Sequence, residues 1–322
     1  MKRRLLLGAG SSLLAGAGLL RAQTAYPNKA IRYIVPVAAG GGSDMVGRTV
    51  TERWGKQLNQ TFVVDNQAGG GGVIACQLTA KAPPDGYTLL QGYVATHGTS
   101  PATRKLPYDP IKDFTPIGMI GGTPNVLVVN SSLPVNTLKE FADYLRKNPG
   151  RLSYGSGGVG TLQHVWGAVL LSSLGVEALH VPFKGAAPAH QEMMGGRLDV
   201  MFDNMSASKQ YVQAGKLKGL VVSSATRSPH LAQVPTVNET GLTRFEGESW
   251  FGIFAPTGTP PAVVAKLREA MAQINREPEF IARVERDGGR LLNIPPAQQQ
   301  AFLQDEIERW VGSVQTYNVT AD

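Results

Sequence analysis

The chain is poor in whatever could staple, anchor or cut. Its 322 residues hold one cysteine, Cys76, so no internal disulfide can form even in an oxidising compartment. Cys76 falls in a helical stretch with apolar residues on more than one side, which predicts a buried, inert thiol rather than a reactive one. The five histidines, His97, His164, His180, His190 and His230, show neither HxxxH nor HExxH spacing, so no metal centre is expected. No GxSxG elbow occurs after the first 25 residues, which removes the usual serine hydrolase signal. No glycine loop carries the Lys-Ser or Lys-Thr pair of a nucleotide P-loop. A charge surplus is also nearly missing. Of 31 basic residues against 24 acidic, four basic ones (Lys2, Arg3, Arg4, Arg21) lie in the first 25 positions, leaving 27 against 24. So small and unclustered an excess gives no nucleic-acid footprint.

Those first 25 residues have the three regions of a secretory signal: Lys2-Arg3-Arg4, an apolar run over 5–20, then small residues near Ala22 and Ala25. Sixteen residues rich in Gly, Ala and Ser fall short of the ~20 apolar residues that a spanning helix needs. Cleavage and export to the periplasm are expected, by the Sec or the twin-arginine route. With no cysteine in the leader, a lipid-modified anchor is not.

What the chain does have is glycine, 38 residues of it, gathered into elbows between strands and helices. The run 31–36 reads as a strand, VAAGGG turns, and a helix carries Val46, Val50, Trp54 and Leu58 on one face. Strand 61–66, helix 72–82 and strand 88–93 complete a βαβαβ unit, which implies a parallel sheet with right-handed crossovers. A second series follows two strand-like runs, 115–120 and 125–129. It has a Thr137–Glu140 capping box with Leu138, Phe141, Ala142 and Leu145 as its buried stripe. Strand 152–154, helix 161–174, strand 178–183, helix 188–194 and strands 200–203 and 217–223 come next. The run 250–255 reads as a return strand, Pro260-Pro261 opens a helix, and a last amphipathic helix covers 298–314. Two α/β lobes with a helical tail make a two-lobed clamp.

Each elbow leaves backbone N–H groups at a helix N-terminus, where the macrodipole carries roughly half a positive charge, a seat for a carboxylate or phosphate. The first offers Val37, Ala38, Ala39, Gly40, Gly41 and Ser43. Asp44, at the helix start, is either a cap or a pocket wall that accepts from a ligand amine or hydroxyl. The middle elbow, 67–72, is read as a tight turn, with a further anion contact as the alternative. The third, Gly155 to Gly160, satisfies GxGxxG after a strand and before a helix, the dinucleotide fingerprint in form. Its ribose-binding acid should end the next strand, where Pro182-Phe183-Lys184 stands instead. A carboxylate seat is preferred, with the Ser156 hydroxyl, the N–H groups of Gly157, Gly158 and the residues up to Gly160, and Thr161 as cap. His164 either lines the cleft or stands behind it. Asp203-Asn204 ends a strand where ligands of open α/β sheets gather, and Phe183 could pack on a ligand body; for these and Lys184 plain loop solvation is equally open.

The ordered phrases IVPVAAGGGSD, VVDNQAGGGG, PDGYTLL, YGSGGVGTLQH, HVPFKG, MFDN, VPTVNETG and WFGIFAPTGTP resemble the Bug family, extracytoplasmic solute receptors of tripartite tricarboxylate transporters. The resemblance covers nearly everything after the leader. It implies an α/β, periplasmic-binding-protein-like two-lobed clamp of type II kind, each lobe a mainly parallel sheet flanked by helices. Lobe 1 would be 26–123 and 251–322, and lobe 2 would be 124–250, with crossings at 122–124 and 248–251. It further implies a small organic carboxylate held by backbone donors and bridging water, a membrane permease partner, a monomer, no cofactor and no catalysis. Candidate ligands are di- and tricarboxylates, acidic amino acids and aromatic carboxylates. Tyr93, Ala95 and Asp203 are expected to set selectivity at the distal end. The glycine motifs carry no dedicated arginine clamp, though Arg48 or a remote basic residue could still reach in. Two rivals share the elbows or the fold: an exported nucleotide- or sugar-phosphate enzyme, and a sensor that presents its ligand to a signalling receptor.

Overall fold

The computed structural model describes residues 26–286 and 288–319; the leader, 1–25, lies outside the described residues. The apolar run Ile31–Val35 forms β1, followed by α1 (Gly42–Leu58), β2 (Phe62–Asn66), α2 (Val73–Ala80) and β3 (Thr88–Tyr93). β1 pairs in parallel with both β2 and β3, as two βαβ crossovers require. On α1 the expected face is inward: Val50 and Trp54 are fully buried, Val46 and Leu58 half-buried. Cys76 is buried on α2, and burial pushes its thiol up to about 12. A π turn over Ala95–Thr99 and a short α3 (Ser100–Thr103) then lead to β4 (Phe114–Asn130).

β4 is one strand of 17 residues where the sequence suggests two. Gly121 and Gly122 look like a break, but they are strand glycines with a packing reason. A Cβ at Gly121 would meet the Arg290 carbonyl oxygen at 2.7 Å, so the short β10 (Arg290–Leu291) can pair there only with glycine. The remaining elements are α4 (Leu138–Lys147), β5 (Ser153–Ser156), α5 (Leu162–Ser173), β6 (Leu179–Pro182), α6 (Ala186–Met194), β7 (Val200–Asn204), α7 (Met205–Gln213) and β8 (Leu217–Val222). β9 (Glu248–Pro256), α8 (Pro261–Ile274), α9 (Pro278–Arg286) and α10 (Gln299–Thr316) close the chain. The start of α4 is capped as expected: Glu140 N–H donates to Thr137 Oγ1 at 3.1 Å and Asn136 N–H to Glu140 Oε2 at 2.7 Å. α7 gives little sequence signal, because it buries only Met205 and Ser208, too few for a visible stripe.

The sheet order is β2-β1-β3-β9-β4-β7-β5-β6, with β8 and β10 also on β4. The outer strands of each half are parallel, while β4 and β9 bring in antiparallel pairing. From Phe114 to Pro124, β4 pairs with β9; from Asn125 onward it pairs with β7 and β8. One strand therefore belongs to both halves. α10 packs on α3 and the π turn of the first half, and its Glu306 accepts from Trp250 Nε1 at 2.7 Å. Trp54, fully buried against Phe62, anchors the packing of α1 on the first half. Trp54→Ala should cost about 3–5 kcal/mol in urea unfolding, whereas Met45→Ala on the exposed side of the same helix should stay within about 0.5 kcal/mol. Equal effects would show that α1 does not pack as described.

Candidate functional site

Gly41 stands at the N-cap of α1 with extended backbone and no side-chain cap, so the first-turn N–H groups keep their free direction. Asp44, one turn in, is neither the cap nor a free acceptor. Its Oδ2 accepts from Gly40 N–H at 3.0 Å and from Arg48 Nε at 2.9 Å, and its Oδ1 accepts from Asn66 Nδ2 at 2.9 Å. Burial alone would raise this carboxyl; the bonds from Arg48, Gly40 and Asn66 together hold it below the usual range. Arg48 also donates to Asn66 Oδ1 at 3.3 Å, so its guanidinium is committed beside the elbow.

At the third elbow most of the donors marked by the sequence are spent within the loop. Ser156 Oγ is fully buried, bonded to His180 Nε2 at 2.7 Å and to Gly158 N–H at 3.1 Å. Gly157 N–H donates to Gln163 Oε1 at 2.6 Å, and Gly160 N–H to His164 Nδ1 at 3.2 Å. Thr161 caps α5 as expected, accepting from His164 N–H while donating to Gly158 O at 2.7 Å. What remains is the end of the helix itself, at Leu162 and Gln163.

Both elbows open on one cleft that is partly open to solvent. Four helix starts meet there: Gly41, Gly42 and Ser43 of α1; Thr161, Leu162 and Gln163 of α5; Gly185 and Ala186 of α6; Asn204 and Ala207 of α7. Val37, Tyr93, Val94 and Phe251 supply apolar wall, and Gly157 and Ser249 complete the lining. Among the described residues, no Asp, Glu, Lys, Arg or His lines it. Gln91 Nε2 donates to both Ser43 O and Ser43 Oγ, at 2.7 and 2.8 Å, which leaves the serine hydroxyl hydrogen for the cleft. Asn204 Oδ1 is taken by Ser206, which leaves its amide N–H groups as donors.

Of the expected residues, Val37, Gly41, Ser43, Tyr93, Gly157 and Thr161 line the cleft. Ala38, Ala39, Gly40, Asp44, Ala95, Ser156, Gly158, Phe183 and Asp203 do not. Ala39 and Gly40 are exposed at the elbow tip, while Ala95 is fully buried because β3 has already turned into helix. Phe183 packs against the core around Val126 and Met201. Asp203 is fully buried under the site: Oδ2 takes His190 Nε2 at 2.6 Å and Ser208 Oγ, and Oδ1 takes Gln163 Nε2 at 2.7 Å. Burial works against both charges of this pair. The adjacent imidazolium nevertheless holds the Asp203 carboxyl low, and the carboxylate holds His190 above its ordinary value. Asp203 thus fixes Gln163, whose oxygen fixes Gly157. Gln163, Gly185, Ser249 and Phe251 escaped the sequence reading; Asn204, marked with Asp203 at the end of a strand, is the member of that pair that lines the cleft.

A mixed α/β clamp whose helix starts converge on a neutral cleft defines a two-lobed solute-binding protein. Residues 46–319 match the family model for the tripartite tricarboxylate transporter family receptor, and the chain belongs to that family. It is similar to protein BugT of Bordetella pertussis, 31% identical over 317 residues that cover 96% of each chain. Among solved structures it is similar to an R. palustris protein with adipate (34% identity, TM-score 0.88, covering 92% of this chain and 99% of that one). It is also similar to MatC from Rhodopseudomonas palustris with bound malate (34% identity, TM-score 0.86, covering 90% and 100%). The resemblance to the Bug receptors holds along nearly the whole chain.

Behind the third elbow, His164 and His180 stack with centroids 4.0 Å apart. Burial, then the nearby Arg104 cation, holds His164 down to about 4; burial, then His164, holds His180 down to about 3. Buried His97 is likewise held at about 3 by burial. Unfolded, each histidine takes its proton near 6.5, so between pH 6.5 and 4 the unfolded chain binds more protons and stability falls as pH falls. His190 does not share this loss, because its raised value keeps its contribution intact at acid pH and loses it only as pH rises through that value. The depression at His164 alone corresponds to roughly 3 kcal/mol when fully expressed. Urea unfolding at pH 7 and pH 4.5 should show a marked drop that His164→Gln reduces. A flat profile would contradict the neutral buried pair.

Proposed function

We propose that this chain captures a small organic carboxylate in the cleft between its lobes and delivers it to membrane permease subunits of a tripartite tricarboxylate-type transporter. The observation that carries this reading is the meeting of four helix N-termini around a cleft with no charged side chain among its described lining residues. Each terminus presents roughly half a positive charge, and those of α1 and α6 have no side-chain cap, which suits an anion and needs no cationic side chain. Adipate and malate in two related structures support the carboxylate class. The protein works in the periplasm after loss of the leader, as a monomer and without a cofactor. Lobe 1 comprises 26–123 and 251–322, and lobe 2 comprises 124–250. Ser43, Asn204 and the first turns of α1 and α5 hold the carboxylate, while Tyr93 and Phe251, stacked at 6.4 Å, face the ligand body.

Binding rather than turnover fits the lining. Its one titratable side chain among the described residues is Tyr93, whose hydroxyl donates to Gly71 O at 3.2 Å and is raised by burial. General acid–base chemistry needs a group poised near the working pH.

A thermal-shift panel tests the proposal with carboxylates, their primary amides and nucleotides. A bound carboxylate should stabilise the fold by about 2.7 kcal/mol at 100 times its dissociation constant, and the matching amide should give little. A shift with nucleotides and none across the carboxylates would overturn the receptor reading.

A further inference from the structure

The middle elbow, 67–72, does not line the cleft, yet it stands where the two halves touch. Gly71 has φ +64°, and a Cβ built there would sit 2.5 Å from the Val159 carbonyl oxygen of the other half. No other residue could allow so close an approach without pushing the halves apart. Three side chains of the first half reach across the same seam. Arg104 Nη2 donates to Val159 O at 3.2 Å and also to Gly70 O in its own half, so one guanidinium spans the gap. Thr99 Oγ1 and Ser100 Oγ donate to Gly160 O at 2.6 and 3.1 Å, and both residues are fully buried. The halves also meet through Ala38 N–H and Lys184 O at 3.3 Å.

We infer that Arg104 is the latch that holds the clamp closed, with Gly71 as the knuckle that lets it engage. Arg104 is not among the cleft-lining residues, so it is a positioning residue. By drawing the carbonyl of Val159 toward the first half, beside the bonds of Thr99 and Ser100 to Gly160 O, it aims the start of α5, which follows directly, into the cleft. A charge-assisted bond to a carbonyl is stronger than a neutral one, and a half-buried guanidinium can exchange it for water when the halves part. This gives the glycine run a role in closure that neither a tight turn nor an anion contact supplies.

Disulfide trapping tests the latch without any ligand, so its outcome is independent of the carboxylate proposal. A Cβ at Gly185 would lie 3.7 Å from Ala38 Cβ, inside the span of about 3.5–4.5 Å that disulfides use; φ +120° strains a cysteine there, so rates are compared only within the double-cysteine background. Ala38→Cys with Gly185→Cys should therefore cross-link when the clamp closes, and buried Cys76 will not compete. In that background, Arg104→Ala should slow cross-linking roughly fivefold or more, and Arg104→Lys should recover part of the rate. An unchanged rate in an Arg104→Ala protein of normal melting temperature overturns the latch. Should Arg104→Ala fail to fold, Arg104→Gln keeps most of the side chain's bulk and removes the charge-assisted bond to Val159 O. Slower trapping there supports the latch and an unchanged rate overturns it.

Discussion

A carboxylate taken out of water into a site without a cation must be met by oriented backbone donors, because an unpaired buried charge is prohibitively costly. Under the proposed carboxylate reading, much of this structure serves that constraint. Arg48 stands beside the first elbow, and Asp44 and Asn66 hold it there, so that it stiffens the loop and leaves the charge of the cleft to the helix ends. Asp203 would repel an anion from beneath the floor. Its negative charge is matched by His190, and its spare oxygen locks the Gln163 amide. Bonds to Asp44, Ser156, Gln163 and Asp203 hold the loops around the cleft, and the starts of α1, α5, α6 and α7 line it.

The geometry of those four helix starts rests on β4 and β9. Because β4 pairs with β9 in one half and with β7 and β8 in the other, strands from both halves share one frame. Thr123 pairs with Ser249 and Gly121 with Phe251 at its middle, which places Ser249 and Phe251 in the cleft wall. A bend at these few residues would move one pair of helix ends relative to the other, and the contacts of Gly71 and Arg104 across the seam limit that bend.

Periodicity and elbows made most of the fold legible. The α1 face, the α4 cap and the Thr161 cap depend on neighbours three or four residues away, and a sequence displays such relations directly. The break expected between 120 and 125 was wrong because a strand glycine and a turn glycine look alike until the Arg290 backbone is seen against Gly121. The site was half legible for a similar reason. The elbows point to a cleft at Gly41, Ser43, Gly157 and Thr161. But whether Gly158 N–H is free or Asp203 faces outward depends on partners such as Ser156 and His190, the latter thirteen residues from Asp203 in the chain. Lining residues such as Gly185 and Phe251 carry no chemistry of their own and become functional by position alone.

The most direct measurement is a crystal structure with the carboxylate that gives the largest thermal shift. The account predicts one carboxylate group in this cleft, its oxygens within about 3 Å of backbone N–H groups at the starts of α1 and α5, either directly or through one water. Arg48 should still be bonded to Asp44. A carboxylate held instead by the guanidinium of Arg48, or bound outside the cleft, would contradict it.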